Sequence, residues 1–108
     1  MLGGLGMGWL ARKILETRPQ VTQLIIVEQE QKLIELFGAP LLRDYPDHVS
    51  MVHGDAYEKA HRAIEFSKPA NSILFDIWPS YGDARYDKKW EKIKEMAKAK
   101  KISTWCWD

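Results

Sequence analysis

The 108 residues have room for one domain with one core, which at this size hides roughly 65% of the surface an extended chain exposes. With 45% hydrophobic and 29% charged residues, the composition excludes a disordered or fibrous chain. Sixteen Lys and Arg against fifteen Asp and Glu leave a formal charge of +1, which excludes binding to nucleic acid or a membrane surface through bulk charge.

A single cysteine, Cys106, cannot close an internal disulfide, and no Cys/His cluster has zinc spacing, so no metal is expected. The segment Met1 to Gly8 lacks the charged and long apolar parts of a leader, and no run approaches eighteen apolar residues. The expected location is the cytoplasm.

Taken in chain order, helical and extended patterns alternate. Leu10, Ala11, Ile14 and Leu15 lie at helical spacing ahead of Pro19. Leu24 to Val27 is a short apolar, mostly β-branched run ending at Glu28, the form of a parallel strand covered on both faces. Gln29 to Phe37 places Leu33, Ile34 and Phe37 on one helical face, and Gly38-Ala39-Pro40 is expected to stop that helix. His48 to His53 alternates as a strand, and Gly54-Asp55 then leads into a helix with Tyr57, Ala60 and Ile64 inward. Ser72 to Trp78 is a further strand holding one acid, Asp76, and Pro79 to Asp83 reads as a loop. A helix from about Asp87 to Ala99 turns Trp90, Ile93 and Ala97 inward, and Ile102 to Trp107 forms the last strand. This alternation predicts a three-layer α/β sandwich with a mostly parallel sheet, forming a single domain over 1–108. Arg85 to Lys101 holds eight basic and three acidic residues, read as the wet side of an amphipathic helix because no aromatic platform interleaves the lysines.

Parallel sheets bind ligands beyond the carboxyl ends of their strands, so candidate residues are sought there. At the first end, Gly3-Gly4-Leu5-Gly6-Met7-Gly8 opens directly into a helix, a backbone that a nucleotide or nucleoside can approach closely. Glu28 follows about twenty residues on, where its carboxylate could accept both ribose hydroxyls or simply end a strand in water. Asp55 could accept from an exocyclic amine, cap the following helix, or do both. Asp76, embedded in an apolar run, must point toward donors to be ionised. Trp78 and Tyr81 could form an aromatic wall beside a substrate or serve as core and loop cover. His48, His53 and His61 lack a metal-like arrangement, and neither Ser80, Ser103 nor Cys106 has the partners of a nucleophile.

Two cofactor classes fit this pattern. Gly6-Met7-Gly8-Trp9-Leu10-Ala11 satisfies the permissive dinucleotide fingerprint, with Glu28 in the acidic place. Against NAD stand the acids at the third and fourth strand ends, which a pyrophosphate site does not require.

The glycine turn, Val27-Glu28, Gly54-Asp55-Ala56 and Asp76-Ile77-Trp78-Pro79 occur in the order seen in class I S-adenosylmethionine-dependent methyltransferases, and their flavour resembles the spermidine synthase-like branch. The resemblance covers nearly the whole chain and implies a Rossmann-like sheet of order 3-2-1-4-5. It implies that Gly4, Gly6 and Gly8 line the methionine and ribose part of S-adenosylmethionine, that Glu28 binds the ribose, and that Asp55 with Ala56 meets the adenine. Asp76 would face the amino acid portion or the acceptor, where in the aminopropyltransferase relatives an acid acts as base.

Relative to that family, only Met1 and Leu2 precede the glycine turn, and the antiparallel strands that close the sheet are absent from this sequence. A truncated central strand and an apolar last strand lead to the expectation of a homo-oligomer, with a partner supplying cover. The expected function is therefore methyl transfer to a small-molecule acceptor. The alternatives are a non-catalytic methyltransferase-fold protein acting by association, and an aminopropyltransferase.

Overall fold

A computed structural model describes residues 1–65, 72–78 and 82–106. Five parallel strands form one sheet in the order β3-β2-β1-β4-β5: β1 (Leu2–Gly3), β2 (Leu24–Glu28), β3 (Val49–His53), β4 (Ser72–Phe75) and β5 (Ser103–Cys106). The α/β fold and strand order expected from the sequence are those observed. Central β1 is very short, pairing Leu2 and Gly3 with Ile26 and Val27 on one side and with Leu74 and Phe75 on the other. Flanking bonds extend it: Gly4 N donates to Val27 O, Asp76 N to Gly3 O and Leu74 N to Met1 O.

Helices cover both faces. Helix α1 (Trp9–Thr17) and α3 (Ala39–Asp44) bury Ala11 and Leu41 against Leu2, Leu24, Ile26 and Val49. On the opposite face α4 (Ala56–Glu65) and α5 (Lys88–Ala99) bury Ala60, Ile64, Trp90, Ile93 and Ala97 against Val27, Ile73 and Phe75. Burial of these apolar faces, at roughly 25 cal/mol per Å², drives the layered arrangement. Of the inward residues anticipated for α4 and α5, all are buried except Tyr57, which is half-buried, and α4 buries Ala56 in addition.

The expected stop at Gly38-Ala39-Pro40 does not occur. A short α-helical turn, α2 (Gln31–Leu33), runs into a π-helical turn (Ile34–Gly38) and on into α3. Pro40 follows directly on the π-helical turn, whose wider backbone bonding, Ala39 N to Ile34 O, carries the chain past the missing proline N–H, and its fixed φ suits the helix. Gly38 is needed for packing instead, since a Cβ there would lie 2.9 Å from the Met51 methyl.

No helix among the described residues is long and apolar enough to cross a membrane, and no group of His, Cys, Asp and Glu among them is arranged to hold a metal ion.

Candidate functional site

The carboxyl ends of β1, β2, β3 and β4 meet at a cleft of about 460 Å³, within the ~300–1,000 Å³ usual for small-molecule sites. It opens beside β1, where the chain, after building outward through β2 to β3, crosses back to place β4 on the other side of β1, the reversal at which parallel sheets part their loops. Gly4, Gly6, Glu28, Asp55, Ala56 and Asp76 all line it, although they come from four separate strand ends.

Each glycine in the turn answers a different demand. Gly4 has φ +95°, and a Cβ there would stand 2.1 Å from the Asp76 carbonyl oxygen, so the turn can approach β4 only as glycine. Gly6 has φ +54° with open space where its Cβ would be, so only its left-handed backbone calls for glycine. Gly8, at φ +79°, caps α1 and faces Phe37 and Leu41. It does not line the cleft, so the structure separates it from Gly4 and Gly6.

Glu28 is the one buried acidic residue among those described, at 8% exposure. Its Oε1 accepts from Leu5 N at 2.9 Å and its Oε2 from Glu30 N at 2.8 Å. The carboxylate thus ties the glycine turn to the loop after β2, and each oxygen keeps a further lone pair. Asp55 is exposed at the start of α4, where its Oδ1 accepts from Tyr57 N at 2.9 Å. The capping role is thereby observed, and its second oxygen has no protein partner among the described residues.

Asp76 is half-buried directly after β4, and its carboxyl has no protein partner among the described residues. Burial pushes its pKa above the ordinary carboxylate value, because withdrawing the group from water disfavours its charge.

Four carboxylates line the cleft, those of Glu28, Glu30, Asp55 and Asp76, with no lysine, arginine or histidine among the described lining residues. Val27, Leu33, Ala56 and Ile77 supply apolar surface between them. Such a site favours a ligand with positive charge, hydroxyl or amino donors and an apolar body. His53 stands aside, its Nε2 hydrogen-bonded to the Gln29 carbonyl at 2.8 Å.

Trp78 does not line the cleft. Its indole packs against Phe75 and Trp90, and its Nε1 donates to Asp87 Oδ2 at 2.9 Å. Tyr81 lies outside the described residues. Among the described residues the aromatic side chain that does line the cleft is Tyr57, whose hydroxyl donates to the same Asp87 oxygen. Sequence reading placed Tyr57 on the core face of α4 and passed over Glu30 and Asp87. The Asp87 position carried a signal, an acid just ahead of a helix, which is the pattern of an N-cap.

Comparison with protein-family models, with curated proteins and with solved structures finds no match to this chain.

Proposed function

We propose that the cleft binds S-adenosylmethionine and that the protein is a methyltransferase-like transferase acting on a small-molecule acceptor. The observation that carries this reading is the acid-only lining beside the glycine turn. A dinucleotide would bring the two negative charges of its pyrophosphate against four carboxylates, whereas a sulfonium brings a positive one. Gly8 and the start of α1, on which a pyrophosphate would rest, do not line the cleft.

In this reading the free lone pairs of Glu28 accept the ribose hydroxyls, and Asp55 Oδ2 accepts from the adenine amine. Leu33, Ala56 and Ile77 cover the base. When bound, the cofactor supplies a methyl group on a sulfonium, already a good leaving group. What remains for the chain is to align the acceptor and, where the acceptor is protonated, to remove a proton. Asp76 is suited to that task, since its raised pKa makes the ionised form a stronger base than an exposed aspartate.

Isothermal titration calorimetry with S-adenosylmethionine, S-adenosylhomocysteine and NAD tests the assignment. Heat from the first two and none from NAD is expected, and silence from both sulfur ligands refutes it.

A second reading, a non-catalytic methyltransferase-fold protein acting by self-association, draws on β5. This strand lies at one margin of the sheet with Trp105 46% exposed. Light scattering at tens of micromolar tests it, a strictly monomeric mass counting against it.

A further inference from the structure

Asp87 lies outside the cleft, between the described loop after β4 and the start of α5, yet it gathers four donors. Its Oδ1 accepts from Lys89 N at 2.9 Å and Trp90 N at 3.1 Å, capping α5. Its Oδ2 accepts from the Tyr57 hydroxyl and from Trp78 Nε1. The first of these side chains belongs to α4 and lines the cleft. The second ends the segment Asp76-Ile77-Trp78, whose first two residues also line the cleft, from the end of β4.

We infer that Asp87 is a positioning residue for the ligand cleft: by holding Tyr57 and Trp78 on one oxygen, it sets the spacing between the α4 wall and the segment that carries Asp76. As a statement about affinity this rests on the S-adenosylmethionine reading above.

The chemistry requires a carboxylate. Donors meet both oxygens, two on each, so both atoms must accept, which a carboxylate does and an amide does not; the indole N–H cannot reverse its role as a hydroxyl can. Burial alone would raise the Asp87 pKa, but the bonds from Tyr57, Trp78 and the backbone of Trp90 and Lys89 hold it below the ordinary value. Tyr57 is shifted the other way by burial and by the Asp87 charge, so its phenol stays protonated and continues to donate. The Tyr57 ring is fixed from both sides, edge-on to Phe75 at 5.5 Å and beneath the Lys89 ammonium at 5.4 Å. Neither wall of the pair is therefore free to drift while the shared bond stands.

Asp87→Asn separates the two duties of this side chain. Asparagine caps a helix as well as aspartate does, so α5 keeps its start, but an NH2 replaces the oxygen that met Trp78. Trp78→Phe removes the same bond with the cap untouched, and serves if Asp87→Asn fails to fold. Calorimetry with S-adenosylmethionine on each variant is expected to show roughly tenfold weaker binding, the cost of one hydrogen bond to a charged group. Ile93→Val, which trims the buried face of α5 without touching Asp87, should bind as the wild type does.

Affinity within twofold of wild type in Asp87→Asn and Trp78→Phe overturns the proposal, as does an equal loss in Ile93→Val. Should the wild-type protein bind no S-adenosylmethionine, the cofactor reading falls and the amide spectra of the ligand-free variants decide the positioning role. Displaced Tyr57, Asp76 and Ile77 signals with Leu2 and Gly3 unmoved support it, and unmoved Asp76 and Ile77 signals overturn it.

Discussion

Glu28→Ala should destabilise the fold by about 3 kcal/mol, whatever the cleft binds. The carboxylate accepts from Leu5 N, a buried donor, and from Glu30 N, a half-buried one. A hydrogen bond to a charged group contributes roughly 1.5–3 kcal/mol where the donor is buried and left unpaired, and less where water can replace the lost partner. Leu5 N accordingly accounts for about 2 kcal/mol and Glu30 N, which water can reach, for about 1 kcal/mol. In a domain of this size each kcal/mol moves the melting temperature by about 4–8 °C, so a fall of more than 10 °C is expected. Glu28→Gln keeps one acceptor oxygen and turns its NH2 toward a donor, so its loss should be smaller. Urea unfolding followed by circular dichroism measures both variants. A Glu28→Ala stability within about 0.5 kcal/mol of wild type would refute the claim that this side chain holds the glycine turn, since that is the range of an inconsequential surface change.

Gly4→Ala and Gly6→Ala should differ sharply by the same assay. The first drives a methyl against the Asp76 carbonyl and should leave no folded protein, while the second meets open space and should cost about 1 kcal/mol of left-handed strain. Asp76 binds its proton more tightly in the folded chain than in the unfolded one. Its contribution to stability is therefore fully present below the ordinary carboxylate pKa and is lost as pH rises through the raised folded value. Asp76→Asn should then match wild type in acid and exceed it at neutral pH, and parallel stability curves for the two would count against the assignment. S-adenosylmethionine should outbind its neutral homocysteine product about five- to tenfold at low salt, the gap narrowing in 1 M salt as the Debye length falls to ~3 Å. Calorimetry at two ionic strengths reads this, and a salt-independent ratio would dissociate the acids from the ligand's charge.

The alternation of strands and helices was legible because all strands but the two-residue β1 left a local mark, whereas the strand order followed only from the resemblance of the motif series. Leu24 to Val27 is apolar throughout, and the structure buries Leu24, Ile26 and Val27 but leaves Ile25 39% exposed, so the strand is not covered on both faces along its whole length; Glu28, Asp55 and Asp76 are acids at the ends where loops gather. Bonds between distant residues left no such mark. Nothing near Tyr57 indicates a partner thirty residues away, and Trp78 reads equally well as cleft wall or core until Asp87 and Trp90 are beside it. Gly8 belongs to the motif in sequence but faces Phe37 and Leu41, because the turn has left the cleft by the time α1 starts. Gly38-Ala39-Pro40 misled because the same three residues suit either a stop or a fresh first turn, and a π-helical turn before them lets the chain continue.

The brevity of β1 makes the middle of the sheet a seam. Two register positions join it to each neighbour, where β2 and β3 share five, and the join to β4 links residues more than seventy apart. Partial opening of the native protein should begin along this line, with the amides of Leu74 and Asp76 exchanging with solvent ahead of those in β2 and β3. A ligand resting on Gly4 and Asp76 at once spans the seam like a staple, and would slow that exchange in proportion to its occupancy.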